Sequence, residues 1–419
     1  MSPSIAPQRS WGWLWILAGG ALLTQTALNL VRPVTTYKLL ALDADTTTIG
    51  LVTAAYALIP LLSALPLGRL SDRMRRLSRL VALGAALLGL GSLALALSSS
   101  IALVAGANAL LGFGHLVFTI AGQTLITRHA RPGQMNAAFG WFTAAYSAGQ
   151  LVGPLIAGLL LGSSLGTVSA ERSASITVAL WVGAGLSLLA APIVLFRTAR
   201  PPESTAPAPA VGTPAGGPEQ PDDGRSLPAR QERATLSAIL GRAGVPSHML
   251  ASLSLLAMLD ILTAFLPLAG EEAGIPPAQI GVLLAIRGAA SILSRSCLPW
   301  LSSRLSSRTL LLVSLYGSGV ALIFPPLTVG QPWIVVPLLV IGGFCLGLGQ
   351  PLTMTLVSTA VPDGWRGTAL AVRLTGNRVG QVVMPITAGF LAAPLGAAGA
   401  IWFSCAVLLV SACEKTARR

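Results

Sequence analysis

The chain has 419 residues, of which 53% are hydrophobic and only 10% are charged, and its mean hydropathy is +0.74. A water-soluble domain of this size needs far more charged surface, so the composition excludes a soluble globular protein. The net charge of +13 would suit a nucleic-acid-binding protein, but its distribution along the chain indicates membrane topology instead.

Apolar runs of about 20 residues, the length that crosses the hydrocarbon of a bilayer, recur along the whole chain. The first run lacks the small-residue cleavage site of a signal peptide, so we expect it to remain as a helix. We predict twelve transmembrane helices, at residues 12–34, 47–67, 78–98, 101–126, 137–162, 175–196, 246–269, 278–298, 309–327, 333–360, 366–391 and 395–413.

Lysine and arginine residues lie mainly on one side of these predicted helices. Of the 27, 20 fall in the N-terminus, the even-numbered loops, the central linker and the C-terminus, whereas Lys38 and Arg172 fall on the other side. Basic loops remain in the cytoplasm. The sequence therefore predicts a multi-pass protein of the inner (cytoplasmic) membrane with both termini in the cytoplasm, and it gives no support for nucleic-acid binding.

Residues 198–245 interrupt the helices with a segment rich in proline, alanine, glycine and charge, which cannot bury a core. We predict a disordered cytoplasmic linker that ends in a short amphipathic helix. It separates an N-terminal six-helix bundle, residues 1–197, from a C-terminal bundle, residues 246–419. The four cysteines lie in apolar spans without metal-ligand spacing, so we expect reduced thiols and no metal site.

The two halves share a faint repeat at a constant offset of 231 residues, covering residues 29–160 without a gap. Parallel repeats of this kind are typical of transporters, with the substrate site between the halves near the middle of the bilayer. The sequence therefore predicts an all-α integral membrane fold of two pseudo-symmetric six-helix bundles. The matched pairs include Gly50 and Gly281, Gly112 and Gly343, Gln150 and Gln381, Pro154 and Pro385, and Gly158 and Gly389.

The loop after the second predicted helix reads GRLSDRMRR and resembles the loop motif of the major facilitator superfamily, Gly-x-Leu-Ala-Asp-Arg-x-Gly-Arg-Arg. Gly68, Asp72, Arg73 and Arg76 match this motif. The resemblance implies the twelve-helix fold and solute transport. A clasp, with Asp72 at a helix N-terminus of the other half and Arg73 and Arg76 as its ion-pair partners, would favour one conformation. A basic topogenic loop without a clasp is the alternative, and the second half carries Ser303 at the position of the aspartate.

The fifth predicted helix carries Gly149, Gly153, Pro154 and Gly158, a pattern that resembles the antiporter motif of the superfamily's drug:proton branch. Glycines at this spacing let helices approach closely, and the proline permits a bend. The resemblance implies a helix that seals the cavity against leak and favours exchange over symport. One feature of that branch is missing, because Asn108 stands where the fourth helix would carry an arginine.

Asp260 is the one acidic residue of 14 that falls in the middle of a predicted span. A charged carboxylate at that depth costs about 2.5–3.5 kcal/mol, so it normally faces a cavity or a partner. At the offset of 231, its counterpart is Asn29. We predict that Asp260 couples transport to protons; a permanently ion-paired Asp260 that only orients helices, for instance with Arg373 or Arg378, is the alternative.

Five arginines also fall inside the predicted spans, several of them in line with amides and hydroxyls of the same helix. Guanidinium groups suit carboxylate or phosphate, so we predict a substrate that is anionic, zwitterionic or a polar metabolite rather than a lipophilic cation. Arg32 and Arg295 also fit a position at the membrane interface, and His115 also fits an ordinary packed residue. The predicted cavity residues are Asn29, Arg32, His115, Arg287, Arg373, Asn377, Arg378 and Gln381.

These features together predict a secondary active transporter that works as a monomer without a cofactor and exports a small organic solute in exchange for protons. The nearest alternative is a proton symporter or facilitator that imports an organic anion or polar metabolite. A non-transporting receptor with the same fold is a further alternative. We predict no enzyme, because no cluster of histidine and carboxylates has metal-ligand spacing and no serine or cysteine has a base nearby.

Overall fold

The computed structural model describes residues 11–130, 134–162, 170–197, 236–362 and 365–417, and the elements of regular structure in these ranges are helical. The helices are α1 (Gly12–Leu40), α2 (Thr46–Arg73), α3 (Leu77–Leu97), α4 (Ile101–His129), α5 (Met135–Leu161), α6 (Ala170–Arg197), α7 (Leu236–Leu240), α8 (Val245–Glu272), α9 (Pro277–Arg304), α10 (Ser307–Ala321), α11 (Pro325–Thr328), α12 (Pro332–Thr359) and α13 (Arg366–Ala417).

Eleven stretches of helix in the described ranges are long and apolar enough to cross a membrane. The last of them, α13, has 52 residues and is broken at Gly396, where φ is 66° and ψ is −166°. Only glycine adopts this backbone readily. The break divides α13 into a first segment, 366–395, and a second segment, 397–417, which correspond to the last two predicted spans. The predicted all-helical fold of two six-helix bundles is therefore confirmed.

Side chains satisfy the free backbone groups at several helix ends, which sets where the helices begin. The Asp45 carboxylate accepts a hydrogen bond from the Thr48 N–H at 2.9 Å at the start of α2. Glu272 accepts the Ala397 N–H at 3.0 Å and so caps the second segment of α13. Both are N-terminal caps of the kind that stabilise helices. The short helix α7 lies where the amphipathic helix is predicted, whereas residues 198–235 of the linker lie outside the described part of the chain.

The helices of each bundle pack closely because glycines lie where they cross. A Cβ on Gly84 of α3 would lie 2.4 Å from the Phe118 backbone nitrogen of α4, and one on Gly114 of α4 would lie 2.5 Å from the Leu88 nitrogen of α3. Small residues at such crossings let backbones approach in the absence of a hydrophobic driving force. These close crossings hold each bundle together as a unit.

The repeat places equivalent contacts between the two bundles. A Cβ on Gly50 of α2 would lie 2.3 Å from the carbonyl oxygen of Pro385 in α13, and one on Gly281 of α9 would lie 2.4 Å from that of Pro154 in α5. The two contacts are equivalent in the repeat, because Gly50 corresponds to Gly281 and Pro385 corresponds to Pro154 at the offset of 231. Matched residues of the two halves therefore form the surface on which the bundles meet.

Hydrogen bonds between described residues of the two bundles lie at mid-height and toward one end of the molecule. We call this the joined end; it is where α1 ends and α2 begins. There the Thr36 hydroxyl donates to the Ala264 carbonyl at 3.0 Å, and Arg172 forms an ion pair with Glu271. The opposite end, where α6 ends and α8 begins, is called the linker end.

Candidate substrate and proton site

Asp260 of α8 lies between the bundles, is 4% exposed and has a partner on each carboxylate oxygen. Its Oδ1 is 2.7 Å from Arg32 Nη2 of α1. Its Oδ2 accepts a hydrogen bond from Gln381 Nε2 of α13 at 2.7 Å, and Gln381 Oε1 in turn accepts from Arg378 Nη1 at 2.8 Å. One guanidinium therefore contacts the carboxylate directly, and a second reaches it through an amide.

The Arg32 guanidinium extends this network into the N-terminal bundle. Its Cζ lies 4.8 Å from the centre of the Tyr56 ring, within the range of a cation–π interaction. The Tyr56 hydroxyl and His115 Nδ1 share a hydrogen bond of 2.6 Å, while His115 Nε2 is buried without a partner. A continuous polar path thus leads from Asp260 across the bundle interface to His115 on α4.

A narrow polar cavity adjoins Arg32. Asn108 closes one side of it, and its Nδ2 donates to the Val52 carbonyl at 2.6 Å, so this amide fastens α4 to α2. The hydroxyls around the cavity come from both bundles. The residues with polar side chains that line it are Arg32, Thr35, Thr36, Thr53, Tyr56, Asn108 and Thr263.

Arg287 of α9 is 6% exposed and forms no hydrogen bond or ion pair with any described residue. Its Nε is buried without a partner. Burial is the largest influence on its guanidinium, and the charges of Arg295, Arg32 and Asp260 are near enough to act on it as well. An unpaired buried charge is costly, and this position is suited to receive an anion.

Arg373 is directed away from Asp260, into the C-terminal bundle. Its Nη2 donates to the Gln350 side-chain oxygen at 3.1 Å and to Thr353 Oγ1 at 2.9 Å, both on α12. Asn377, one turn later on α13, is buried with an unpartnered Oδ1. The sequence suggested Arg373 or Arg378 as the ion-pair partner of Asp260, but neither contacts its carboxylate. The ion-pair partner of Asp260 is Arg32, and Arg378 reaches the carboxylate only through Gln381.

The remaining predicted polar residues lie near this site in different ways. Arg295 Nη1 donates to Ser147 Oγ of α5 at 3.1 Å and so bridges the bundles. Asn29 Nδ2 donates to the Gln25 carbonyl of its own helix at 2.8 Å. Tyr56 is the main residue that sequence reasoning missed, because one tyrosine in an apolar span carries no signal. Its position opposite Arg287 in the repeat could have drawn attention to it.

The motif at residues 68–76 is held within the N-terminal bundle, and residues 68–73 form the last turns of α2 rather than the predicted loop. Arg128 of α4 donates to the Met74 carbonyl at 2.6 Å and to the Ser71 carbonyl at 3.1 Å. Gly68 has open space around it, and Arg73 and Arg76 are exposed. The Asp72 side chain lies outside the described part of the structure, so the clasp remains a prediction.

The glycines of the fifth helix are packing sites. A Cβ on Gly149 would lie 2.5 Å from Gln25 Cβ, and one on Gly153 would lie 2.7 Å from the Thr26 carbonyl, both on α1. Gly158 faces α9 instead. Their predicted role in preventing leak and favouring exchange remains a prediction.

A second polar contact between the bundles was missed from the sequence. Arg172 in the first turn of α6 pairs with Glu271 at the end of α8, and its Cζ lies 5.6 Å from the Tyr37 ring centre. Both charged residues lie near predicted helix ends, where charges are expected, so the pattern gave no reason to connect them. This contact belongs to the joined end and lies apart from Asp260.

Similarity to known proteins supports the same fold. A family model described as Major Facilitator Superfamily matches residues 14–342 and 248–413. No curated protein matches the chain in sequence. Among the described residues, no group of three histidine, cysteine or acidic side chains lies close enough to hold a metal ion.

Solved transporter structures match nearly the whole chain at low identity. A bacterial homologue of the human lysosomal transporter Spinster, inward-facing and unoccupied, has a TM-score of 0.74 at 15% identity, with 98% of this chain and 97% of that chain covered. A variant of the nucleoside transporter NupG has a TM-score of 0.73 at 13% identity, with 97% and 99% covered. A POT family transporter in complex with a thioalcohol-conjugated peptide has a TM-score of 0.69 at 15% identity, with 96% and 95% covered.

Proposed function

The chain belongs to the Major Facilitator Superfamily, and from this premise we propose that it is a proton-coupled secondary transporter of a small organic solute. The family and the fold are those of multi-pass membrane transporters rather than enzymes. In such folds the two bundles rock around a central site that faces each side of the membrane in turn. The network around Asp260 is formed by residues of one chain, which supports a functional monomer.

The observation that carries the proposal is the position of Asp260. It is the one acidic side chain buried in the described membrane interior, and Arg32, its ion-pair partner, belongs to the other bundle. A proton on this carboxylate removes the attraction between the bundles at mid-height. Protonation of a single group can therefore change the balance between two rocking states.

Two modes of coupling follow from different observations. Export in exchange for protons is supported by the resemblance of Gly149, Gly153, Pro154 and Gly158 to the antiporter motif. In the structure, helix packing already explains the glycines at these positions, so the motif alone is weak support for exchange. Import of an anion together with protons is supported by the Arg32–Asp260 pair and is the second candidate.

The basic residues of the linker end support a cytoplasmic location for that end, in the inner membrane. The bundles are joined at the opposite end. We therefore infer that the described conformation opens toward the cytoplasm, with the ion pair between Arg172 and Glu271 on the outer side.

The test uses the full chain in proteoliposomes with an imposed pH gradient, beside Asp260→Asn. Organic anions, sugars, amino acids and cationic dyes are added in turn, and dissipation of the gradient is followed with a pH-sensitive dye. We expect one compound class to dissipate the gradient in the wild type but not in Asp260→Asn. Asp43→Asn is the matched control, because Asp43 lies exposed at φ 55°, where asparagine is tolerated.

The direction of the pH change separates the two modes. Proton movement opposite to the cargo identifies exchange, and movement with it identifies symport. If Asp260→Asn folds normally and dissipates the gradient like the wild type, proton coupling through Asp260 is wrong.

A further inference from the structure

The interior of the protein carries more positive charge than its own acidic groups neutralise. Asp260 is the one buried acidic side chain in the described membrane helices, and it shares this interior with five arginines. A buried guanidinium needs an anionic partner or several acceptors to offset its lost hydration. The five are Arg32, Arg287, Arg295, Arg373 and Arg378.

These arginines are satisfied to different degrees. Arg373 has oxygen acceptors on α12, and Arg295 has the Ser147 hydroxyl. Arg32 and Arg378 both depend on Asp260, the second through Gln381. Arg287 has no hydrogen-bond or ion-pair partner within the described ranges. The site is therefore short of one anion, and the shortage is centred on Arg287.

Building on the proposed function, we propose that the cargo is an organic anion whose carboxylate or phosphate binds Arg287 and takes Arg32 from Asp260. Arg32 and Arg287 come from opposite bundles, so the anion bridges them. Asp260 then loses its direct ion pair in a medium of low dielectric and takes up a proton from water on Oδ1. A monoanion and a proton enter the site together, which leaves the net charge of the site unchanged.

The groups that face Asp260 leave it as the proton acceptor. Arg32 and Arg378 already carry their protons, and Gln381 does not titrate in this range. Tyr56 lies behind Arg32, and His115 is one hydrogen bond further away. Anion binding and proton binding therefore favour each other, which is the sign required for symport, and a lower pH tightens anion binding by up to about tenfold per pH unit.

The binding test measures thermal unfolding of the purified full chain with acetate, succinate, citrate or glucose 6-phosphate at pH 6 and pH 8. Sodium chloride of equal ionic strength is the reference, and unfolding temperature against concentration gives an apparent Kd. We expect stabilisation by at least one of these anions, with a Kd tenfold or more lower at pH 6. A response to the carboxylates or to the sugar phosphate distinguishes the two kinds of anion.

Four variants assign the effect to residues. Asp260→Asn imitates the protonated acid, so we expect the same Kd at both pH values. Arg287→Gln should lose the stabilisation at both. Arg304→Gln removes an arginine that stacks on Trp300 at the linker end, away from the site, and should match the wild type. His115→Gln should keep the pH dependence.

Several results would overturn the inference: no stabilisation by any of these anions, stabilisation only by cationic or neutral solutes, or tighter anion binding at pH 8. A cationic or neutral cargo whose proton-driven flux requires Asp260 would overturn this inference and leave the proposed function standing. Anion binding with the expected pH dependence but no flux would support the inference and contradict the proposed function.

Discussion

Replacing Gly281 by alanine would place a methyl group in the contact that joins the two bundles. The added Cβ would lie 2.4 Å from the Pro154 carbonyl oxygen and 2.8 Å from Gly158 Cα. Both are backbone atoms, so no side-chain rotation relieves the overlap and α5 must move away from α9. Overpacking of this kind costs about 1–3 kcal/mol, which corresponds to a shift of about 5- to 150-fold away from the state that joins this end.

The repeat provides a second variant and a matched control. In Gly50→Ala the Cβ would lie 2.3 Å from the Pro385 carbonyl oxygen, so we expect a shift of the same direction and similar size. Gly106→Ala changes α4 of the same bundle as Gly50, near the same end, at a position where nothing lies within 4 Å. It bears the same helical alanine without the clash and should behave like the wild type.

The assay is the distance between spin labels at Ser173 and Ala273, exposed residues of opposite bundles near the joined end. The labels are attached to cysteines introduced there, in a chain whose four native cysteines are replaced by alanine. We expect a longer distance to gain population in both clashing variants. If the distance distribution of Gly281→Ala equals that of Gly106→Ala, the contact does not control the rocking equilibrium.

Three further predictions concern charged residues. Arg172→Ala leaves Glu271 without its ion pair, so we expect the distance between the spin labels at Ser173 and Ala273 to lengthen. Arg172→Lys should lengthen this distance less. Equal distances in both variants and the wild type would contradict the prediction. Glu272→Gln weakens the cap of the second segment of α13 and should lower the free energy of unfolding by about 1 kcal/mol, seen as a lower unfolding temperature, with Glu272→Asp closer to the wild type. Exchanging the charges of Arg32 and Asp260 keeps an ion pair, so we expect near-normal thermal stability but no proton-driven flux. Proton-driven flux in the exchanged protein would mean that the pair only orients helices.

The fold could be predicted because hydrophobic length and the repeat are properties of the sequence alone. Each crossing needs about 20 apolar residues, and the structure places a helix on every predicted span. The sequence predicted a gap between the last two spans near Gly396. In the structure, only Gly396 departs from helical geometry, and the chain is helical directly before and after it. The bounds differ more at other helix ends, because α1, α2 and α9 end at Leu40, Arg73 and Arg304 and so continue beyond their predicted ends at 34, 67 and 298.

The partners of the charged residues could not be predicted. A single carboxylate in an apolar span is unusual, so Asp260 was identified from its cost alone. Its partner depends on how α1 and α8 meet across the interface, and this contact joins residues 228 positions apart. The sequence suggested Arg373 or Arg378 as partners and allowed Arg32 a position at the membrane interface, whereas Arg32 is the residue that forms the ion pair. Helix rotation decides among them, and hydropathy does not specify helix rotation.

In the proposed mechanism, the repeat distinguishes residues that join the two bundles from residues that bind the cargo. At two matched pairs, Gly50 with Gly281 and Pro154 with Pro385, the structure places a contact between the bundles. These two contacts are equivalent, so we expect the free energy needed to break one to equal that needed to break the other. Equivalent contacts of this kind suit a symmetric rocking motion of the two bundles.

The charged residues of the interior lie where the halves differ, although Gln381, which binds Asp260, has the identical Gln150 as its counterpart. Asn29 is the counterpart of Asp260, Thr263 of Arg32, and Tyr56 of Arg287. An anion bound to Arg32 and Arg287 would therefore contact each half through a residue that the other half lacks. If the rocking surface and the binding site are separate in this way, Gly281→Ala should change the rate of flux but not the apparent Kd of the anion in the matching conformation. Arg287→Gln should remove anion binding without changing the spin-label distance of the empty protein. A change of both quantities in both variants would show that the two parts cannot be separated.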